Sequence, residues 1–226
     1  LRLSSPVLVV SLAGEPVERP ADAPDPARSG FTLVTGGVDW PWRRSESYLE
    51  KIASVADRHP DGMRLVRFTG RYRWHAENDP DMDSGPSEPG ATALTSYAAY
   101  SGQLREAHVG LELGEDNLER RFSQSFRSLD FLRHGLPLIC SAHLPLARLV
   151  REYEAGWVVD QAEDLPELLE GLLADPDGWH RRSENAVRLV REEFDPGRAC
   201  APLLTWLAAP APAPRLPAAD RSAEPV

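Results

Sequence analysis

Two charged side chains in the middle of the chain have the chemistry and spacing of a binding site. Arg127 and Asp130 follow Ser125 and Phe126, and the segment has the pattern of a short helix. Side chains three residues apart on a helix lie on neighbouring faces. The start of a helix presents backbone N–H groups and a positive dipole to an anion, and arginine adds a permanent cation. The segment therefore predicts a site for a phosphate group, with a carboxylate beside it to accept hydrogen bonds.

Glycines and basic residues nearer the N-terminus could complete such a site. Residues 31–34 are predicted as a strand that leads into a turn at Gly36 and Gly37, and Arg43 and Arg44 follow this turn. The two arginines have a simpler interpretation as surface charges that pair with the acidic excess of the chain.

A metal site is not expected. Asp79, Asp81 and Asp83 alternate as carboxylates do in calcium loops, but the glycine falls one place late and prolines interrupt nearby. The histidines lie in separate segments and have no ligand spacing with the cysteines.

The composition excludes several classes of protein. The 226 residues carry a formal net charge of -10, which disfavours binding to nucleic acid or anionic membranes. Two cysteines make no disulfide framework, so we expect free thiols and a cytoplasmic location. No apolar run is long enough to span a membrane, and no signal-peptide pattern is present. The sequence begins at leucine, from which we expect an excised or processed piece.

Apolar runs alternate with amphipathic segments along most of the chain. Further strands are predicted at 64–69, 108–113, 137–140 and 156–159, and helices at 45–58, 95–106, 126–133, 147–153, 165–174, 179–193 and, after a break at 196–197, 202–207. This alternation is typical of an α/β domain: a Rossmann-like parallel sheet with helices on both faces. Such sheets bind ligands at the carboxyl ends of their strands, which is where the polar segments fall.

The chain divides into three parts. Residues 1–29 are predicted as an inter-domain strand and linker, 30–207 as the Rossmann-like domain, and 208–226 as a disordered tail rich in proline and alanine. Residues 70–90 are predicted as a long polar loop within the domain.

Several segments, taken in order, resemble the group 1 glycosyltransferases, which have the two-domain GT-B fold. Residues 107–113, 117–127 and 128–139, with Gly135-Leu136-Pro137, are similar to the donor-binding motif of that family. Residues 155–160 resemble the strand that follows this motif. Upstream, 10–16 resemble the inter-domain connection and 36–42 the glycine turn that opens the C-terminal domain.

The resemblance implies a function and roles for individual residues. The chain would be the nucleotide-sugar-binding half of a retaining, metal-independent glycosyltransferase, inactive without an N-terminal acceptor domain. The donor is a substrate, and no cofactor is implied. Asp130 stands where the family has a glutamate that binds the ribose hydroxyls, and Arg43 or Arg44 where it has a basic residue after the glycine turn. Where many relatives have a sugar-contacting glutamate, this chain has Phe122, and Glu119 is the nearest acid.

Two other functions remain open at this point. The chain could be a non-catalytic module, a degenerate transferase domain or a scaffold, which the phenylalanine in place of an acid favours. It could also belong to another GT-B-like enzyme that acts on nucleotide sugars, such as an epimerase.

Overall fold

One parallel sheet organises the computed structural model, which describes residues 12–20, 22–38, 45–70, 92–93 and 96–210. Its strands are β1 (Phe31–Val38), β2 (Met63–Gly70), β3 (Thr92–Ala93), β4 (Val109–Glu112), β5 (Leu138–Ser141) and β6 (Gly156–Val159). Their order across the sheet is β3-β2-β1-β4-β5-β6, and all neighbouring pairs are parallel. This is the strand order of the Rossmann fold, so the predicted fold class is confirmed.

Helices connect the strands and cover the sheet. They are α1 (Pro26–Ser29), α2 (Glu46–Arg58), α3 (Tyr97–Glu106), α4 (Leu118–Phe122), α5 (Phe126–Arg133), α6 (Ala147–Glu152), α7 (Leu165–Ala174), α8 (Pro176–Glu193) and α9 (Pro196–Ala208). Side chains of Asn117, Ser125, Asp175 and Asp195 accept backbone N–H groups at the starts of α4, α5, α8 and α9. These caps satisfy donors that the first turn leaves without partners.

A separate apolar core lies on each face of the sheet. Neighbouring strand residues point to opposite faces, so Leu33 joins one core and Val34 the other. The first core packs against α2 and α7, and the second against α3, α5, α6 and most of α8. The central strands β4 and β5 are buried along their whole length, whereas β2 carries Arg64 and Arg67.

Two predicted local structures were wrong, and one short helix was not predicted. Gly36 and Gly37 are not in a turn, because β1 continues through them to Val38. Pro196 and Gly197 do not interrupt a helix but begin α9 behind the Asp195 cap, because proline is tolerated in a first turn, where its missing N–H has no helical partner. The segment after β4, for which no helix is predicted from the sequence, contains the short helix α4.

The segment before β1 packs onto the domain. The Gly14 N–H donates to the Phe194 carbonyl at 2.8 Å, and the Val17 N–H donates to the Arg133 carbonyl at 2.6 Å. The predicted strand at 6–13 falls mostly outside the described residues, as do most of the polar loop at 70–90 and the tail beyond residue 210.

Candidate functional site

The strand order has a switch point at β1, where the chain changes the direction in which it adds strands to the sheet. The strand β1 pairs with β2 on one side and β4 on the other, so the connections leave it in opposite directions. Ligands of such sheets bind in the crevice beyond the carboxyl ends of the strands at this point. The segments that follow β1 and β4 carry most of the residues predicted to bind a phosphate group.

Gly36 and Gly37 lie near the carboxyl end of β1. A Cβ atom on Gly36 would come within 2.7 Å of the Cβ of Phe68 on the paired strand β2, closer than real Cβ contacts. Glycine at this position therefore lets two strands approach each other. A role of Gly36 in ligand binding is supported by its position near the carboxyl end of β1, at the switch point of the sheet.

A buried carboxylate organises the connection after β4. Glu112, the last residue of β4, is 1% exposed. Its Oε1 accepts hydrogen bonds from Arg120 Nη1 at 2.7 Å and Arg127 Nη2 at 2.9 Å. Its Oε2 accepts from Ser125 Oγ at 2.9 Å, Arg127 Nη2 at 2.8 Å and Ser128 Oγ at 3.1 Å. One carboxylate thus fixes α4 and the first turn of α5 against the end of the sheet.

The start of α5 is exposed and its arginine has spare hydrogen-bonding capacity. Ser125 caps the helix by accepting the Ser128 N–H at 3.4 Å, and the ring of Phe126 is 72% exposed. Arg127 contacts Glu112 through Nη2 only, and its Nη1 has no hydrogen-bond partner among the described residues. A phosphate oxygen could therefore accept from Nη1 without breaking the ion pair with Glu112.

Asp130 follows on the same helix and already has a partner. Its Oδ1 accepts a hydrogen bond from the Tyr97 hydroxyl at 3.0 Å and lies 3.8 Å from Arg133 Nη1. Burial, and then the nearby Asp130 carboxylate, raise the pKa of Tyr97, so its phenol is protonated and donates at neutral pH. The carboxylate is partly exposed and can still accept bonds from the hydroxyl groups of a ligand.

Glu119 and Phe122 do not join this group. Glu119 lies on the exposed side of α4, whereas its neighbour Arg120 is buried. Phe122, at the position where the resemblance implies an acid, is 83% exposed. Arg43 and Arg44 lie outside the described residues, and so does the aspartate cluster at 79–83. The part of the chain that the structure describes contains no group of three potential metal ligands.

Three residues of the site were missed by the sequence analysis: Glu112, Arg120 and Tyr97. An acid within the apolar run 109–113 could have indicated a buried ion pair, because buried carboxylates require partners. Tyr97 had no comparable signal, since it is 33 residues from Asp130 along the chain.

The fold is that of one half of solved glycosyltransferases. TarM of S. aureus shares 10% identity over 88% of this chain and 38% of its own, with a TM-score of 0.63. WaaG, a glycosyltransferase involved in lipopolysaccharide biosynthesis, shares 15% identity over 81% of this chain and 48% of its own, with a TM-score of 0.58. The chain thus spans less than half the length of either protein.

A match of domain size gives the same result. The C-terminal domain of LpcC, a group 1 family glycosyltransferase from Francisella tularensis, is covered over 95% of its length and 78% of this chain, at 11% identity and a TM-score of 0.56. No protein-family model matches the sequence, and neither does any curated protein. The chain therefore has the fold of the C-terminal, Rossmann-like half of a GT-B glycosyltransferase. None of the described helices is both long and apolar enough to cross a membrane.

Proposed function

We propose that this chain is the donor-binding domain of a glycosyltransferase that transfers a sugar from a nucleotide diphosphate sugar to an acceptor. The observation that carries the proposal is the position of Arg127 and Asp130. Both lie on α5, in the connection that follows β4, the strand that pairs with β1 at the switch point of the sheet. In this arrangement the pyrophosphate meets Arg127 and the helix N-terminus, and Asp130 accepts from the ribose hydroxyls.

Solved proteins of the same fold support this choice of ligand. HepE of Anabaena was crystallised with UDP-glucose, and a TarM mutant with UDP. The proposal extends the same ligand class to this chain. The acceptor would be held by a second domain, and transfer would take place in the cleft between the two domains.

The proposal includes a reaction that retains anomeric configuration and needs no divalent metal. Without a metal, the negative charge on the leaving diphosphate is stabilised by Arg127 and the backbone N–H groups of α5, and by Arg43 or Arg44 after β1. We also propose a cytoplasmic location, which the two free cysteines support.

The test is a calorimetric titration of the chain with UDP, GDP and ADP, with and without magnesium. We expect one nucleotide to bind in a metal-independent way, and Arg127→Met and Asp130→Asn each to weaken it by about 10-fold or more, because each removes a charge-assisted hydrogen bond. Asp57→Asn on the exposed side of α2 is the matched control and should bind normally. Binding that is unaffected by both site variants would refute the assignment.

A non-catalytic module is the second candidate, and the exposed Phe122 favours it. Such a module need not bind nucleotides at all. If none of the three nucleoside diphosphates binds the correctly folded chain, this second function replaces the first.

A further inference from the structure

The buried carboxylate at the end of β4 faces two guanidinium groups with different exposure. The side chains of Glu112, Arg120 and Arg127 are 2%, 5% and 19% exposed, respectively. These three side chains carry one negative and two positive charges. The two arginines therefore differ in access to a ligand: Arg120 is enclosed by the protein, whereas Arg127 reaches solvent at the start of α5.

A carboxylate paired with a single arginine would form a neutral pair, which would attract an anion more weakly than an arginine with a full positive charge. In this site Arg120 Nη1 bonds Glu112 at 2.7 Å, so Glu112 is neutralised from inside the protein. Its second ion pair, with Arg127 Nη2 at 2.8 Å, can then orient that guanidinium without removing its net charge. Charges in such a poorly hydrated place interact strongly, because the effective dielectric constant is low.

The enclosed arginine is costly to the fold. Its Nε and Nη2 are buried and have no hydrogen-bond partner among the described residues, and burying such donors without partners is unfavourable. An uncharged side chain of similar size would avoid this penalty but would leave the buried Glu112 with one ion pair fewer. The charge of Arg120 therefore acts through Glu112, which it bonds.

We propose that Arg120 neutralises Glu112 so that Arg127 keeps a full positive charge for an anion bound at the start of α5. The anion is a diphosphate, as in the proposed donor, and in this respect the inference rests on the proposed function. Arg120 acts through Glu112 and does not touch the ligand, so it is a positioning residue. Glu112 orients Arg127, and Arg127 contacts the anion.

The test is a double-mutant cycle on the full chain with inorganic pyrophosphate as the probe, measured by calorimetry at fixed ionic strength. Arg120→Met should weaken pyrophosphate binding by about 10-fold, because Glu112 then cancels the charge of Arg127. Glu112→Gln should bind at least as tightly as the parent chain. The double variant should recover most of the lost affinity, since the uncompensated carboxylate is gone.

The matched control is Arg121→Met, the neighbouring residue on α4, whose side chain is exposed and pairs with Asp116. It removes the same charge from the same helix and should leave binding unchanged. Arg120→Lys, which keeps the charge, should retain binding within about threefold. Melting temperatures of all variants establish that they are folded, and if Arg120→Met does not fold, the comparison of Glu112→Gln with the parent chain decides the question.

Recovery of pyrophosphate affinity in the double variant supports the proposal when Arg120→Met alone is folded at the temperature of the titration, because a folded variant that loses affinity and regains it with Glu112→Gln lost it through the charge of Glu112. Unchanged binding in Arg120→Met, a double variant as weak as Arg120→Met, or weaker binding in Glu112→Gln overturns it. If a nucleoside diphosphate binds but pyrophosphate does not, the inference fails and the proposed function stands. If the cycle behaves as expected but no nucleoside diphosphate binds, the proposed function fails and the inference stands.

Discussion

The hydroxyl group of Tyr97, the first residue of α3, donates a 3.0 Å hydrogen bond to Oδ1 of Asp130 on α5. The ring of Tyr97 is more than half exposed and lies beside Tyr100, which in turn contacts Phe68 edge-on. A partly buried row of aromatic rings thus supports a phenol that occupies one oxygen of the proposed ribose-binding carboxylate. A ligand must either share Asp130 with Tyr97 or displace its hydroxyl group.

Removing this hydroxyl should improve nucleotide binding. In Tyr97→Phe, Oδ1 of Asp130 is free to accept from a ribose hydroxyl, and a net hydrogen bond of this kind corresponds to about a threefold to tenfold change in affinity. Calorimetric titration with the nucleotide that binds the parent chain measures the effect. Weaker binding in Tyr97→Phe would mean that the phenol contacts the ligand itself.

The buried imidazole of His108 should make the fold sensitive to acid. Its Nδ1 accepts the Thr32 N–H at 2.9 Å, and its Nε2 donates to the Pro24 carbonyl at 3.0 Å. These bonds require the neutral ring, and burial lowers the pKa of His108 from 6.5 to about 4. The unfolded chain therefore binds more protons than the folded chain between these two values.

Stability should then be greatest above about pH 6.5 and fall as the pH is lowered toward 4. The loss that comes from His108 alone amounts to about 3 kcal/mol once the pH has fallen to its pKa in the folded state, about 4. Urea unfolding at a series of pH values measures it, and the slope should be shallower in His108→Asn. Burial also lowers the pKa of His134, so part of the slope should persist.

Most of the fold could be predicted because it depends on patterns local in the sequence. The strand at 156–159 and the helices at 126–133 and 165–174 have the predicted bounds, since apolar periodicity and capping residues act within one element. The turn at Gly36-Gly37 was wrong for a non-local reason. A glycine required by the neighbouring strand has the same sequence signal as a glycine in a turn.

The site could be predicted only in part for the same physical reason. The sequence shows that Arg127 and Asp130 are close, because three residues of helix fix their spacing. Their partners Glu112 and Tyr97 come from other elements, and the packing of those elements decides the contact. The sequence thus predicts the spacing of Arg127 and Asp130 but not the contacts that their side chains make with other elements.

Arg19 should contribute to the attachment of the segment before β1, beside the backbone hydrogen bonds of Gly14 and Val17. Arg19 lies over the ring of Trp179 at 5.2 Å, and its Nη1 donates to the Ala107 carbonyl at 3.2 Å. Arg19→Ala should lower the free energy of unfolding by about 1–2 kcal/mol, through loss of the cation–π contact and a partly buried hydrogen bond. Urea unfolding measures this change. Arg28→Ala on the exposed side of α1 is the control, and an equal effect of both variants would contradict the assignment.

Two glycines should respond in opposite ways to the same substitution. Gly156 begins β6, and a Cβ atom there would come within 2.0 Å of the Leu138 carbonyl oxygen on the paired strand β5. Backbone atoms of a buried strand cannot move away without disturbing the sheet, so Gly156→Ala should destabilise the domain by about 3 kcal/mol or more. Gly171 lies within α7, and nothing is within 4 Å of its Cβ position.

For Gly171→Ala we expect a gain of up to about 1 kcal/mol, because alanine loses less conformational entropy than glycine in a helix. Thermal and urea unfolding of both variants give the two free-energy changes side by side. A small effect of Gly156→Ala would show that β6 lies less close to β5 than the structure indicates.

The strand β6 forms one edge of the sheet, and β5 is its only partner among the described strands. In the Gly156→Ala variant, the β6 amides should therefore lose protection from hydrogen exchange before the β4 amides do.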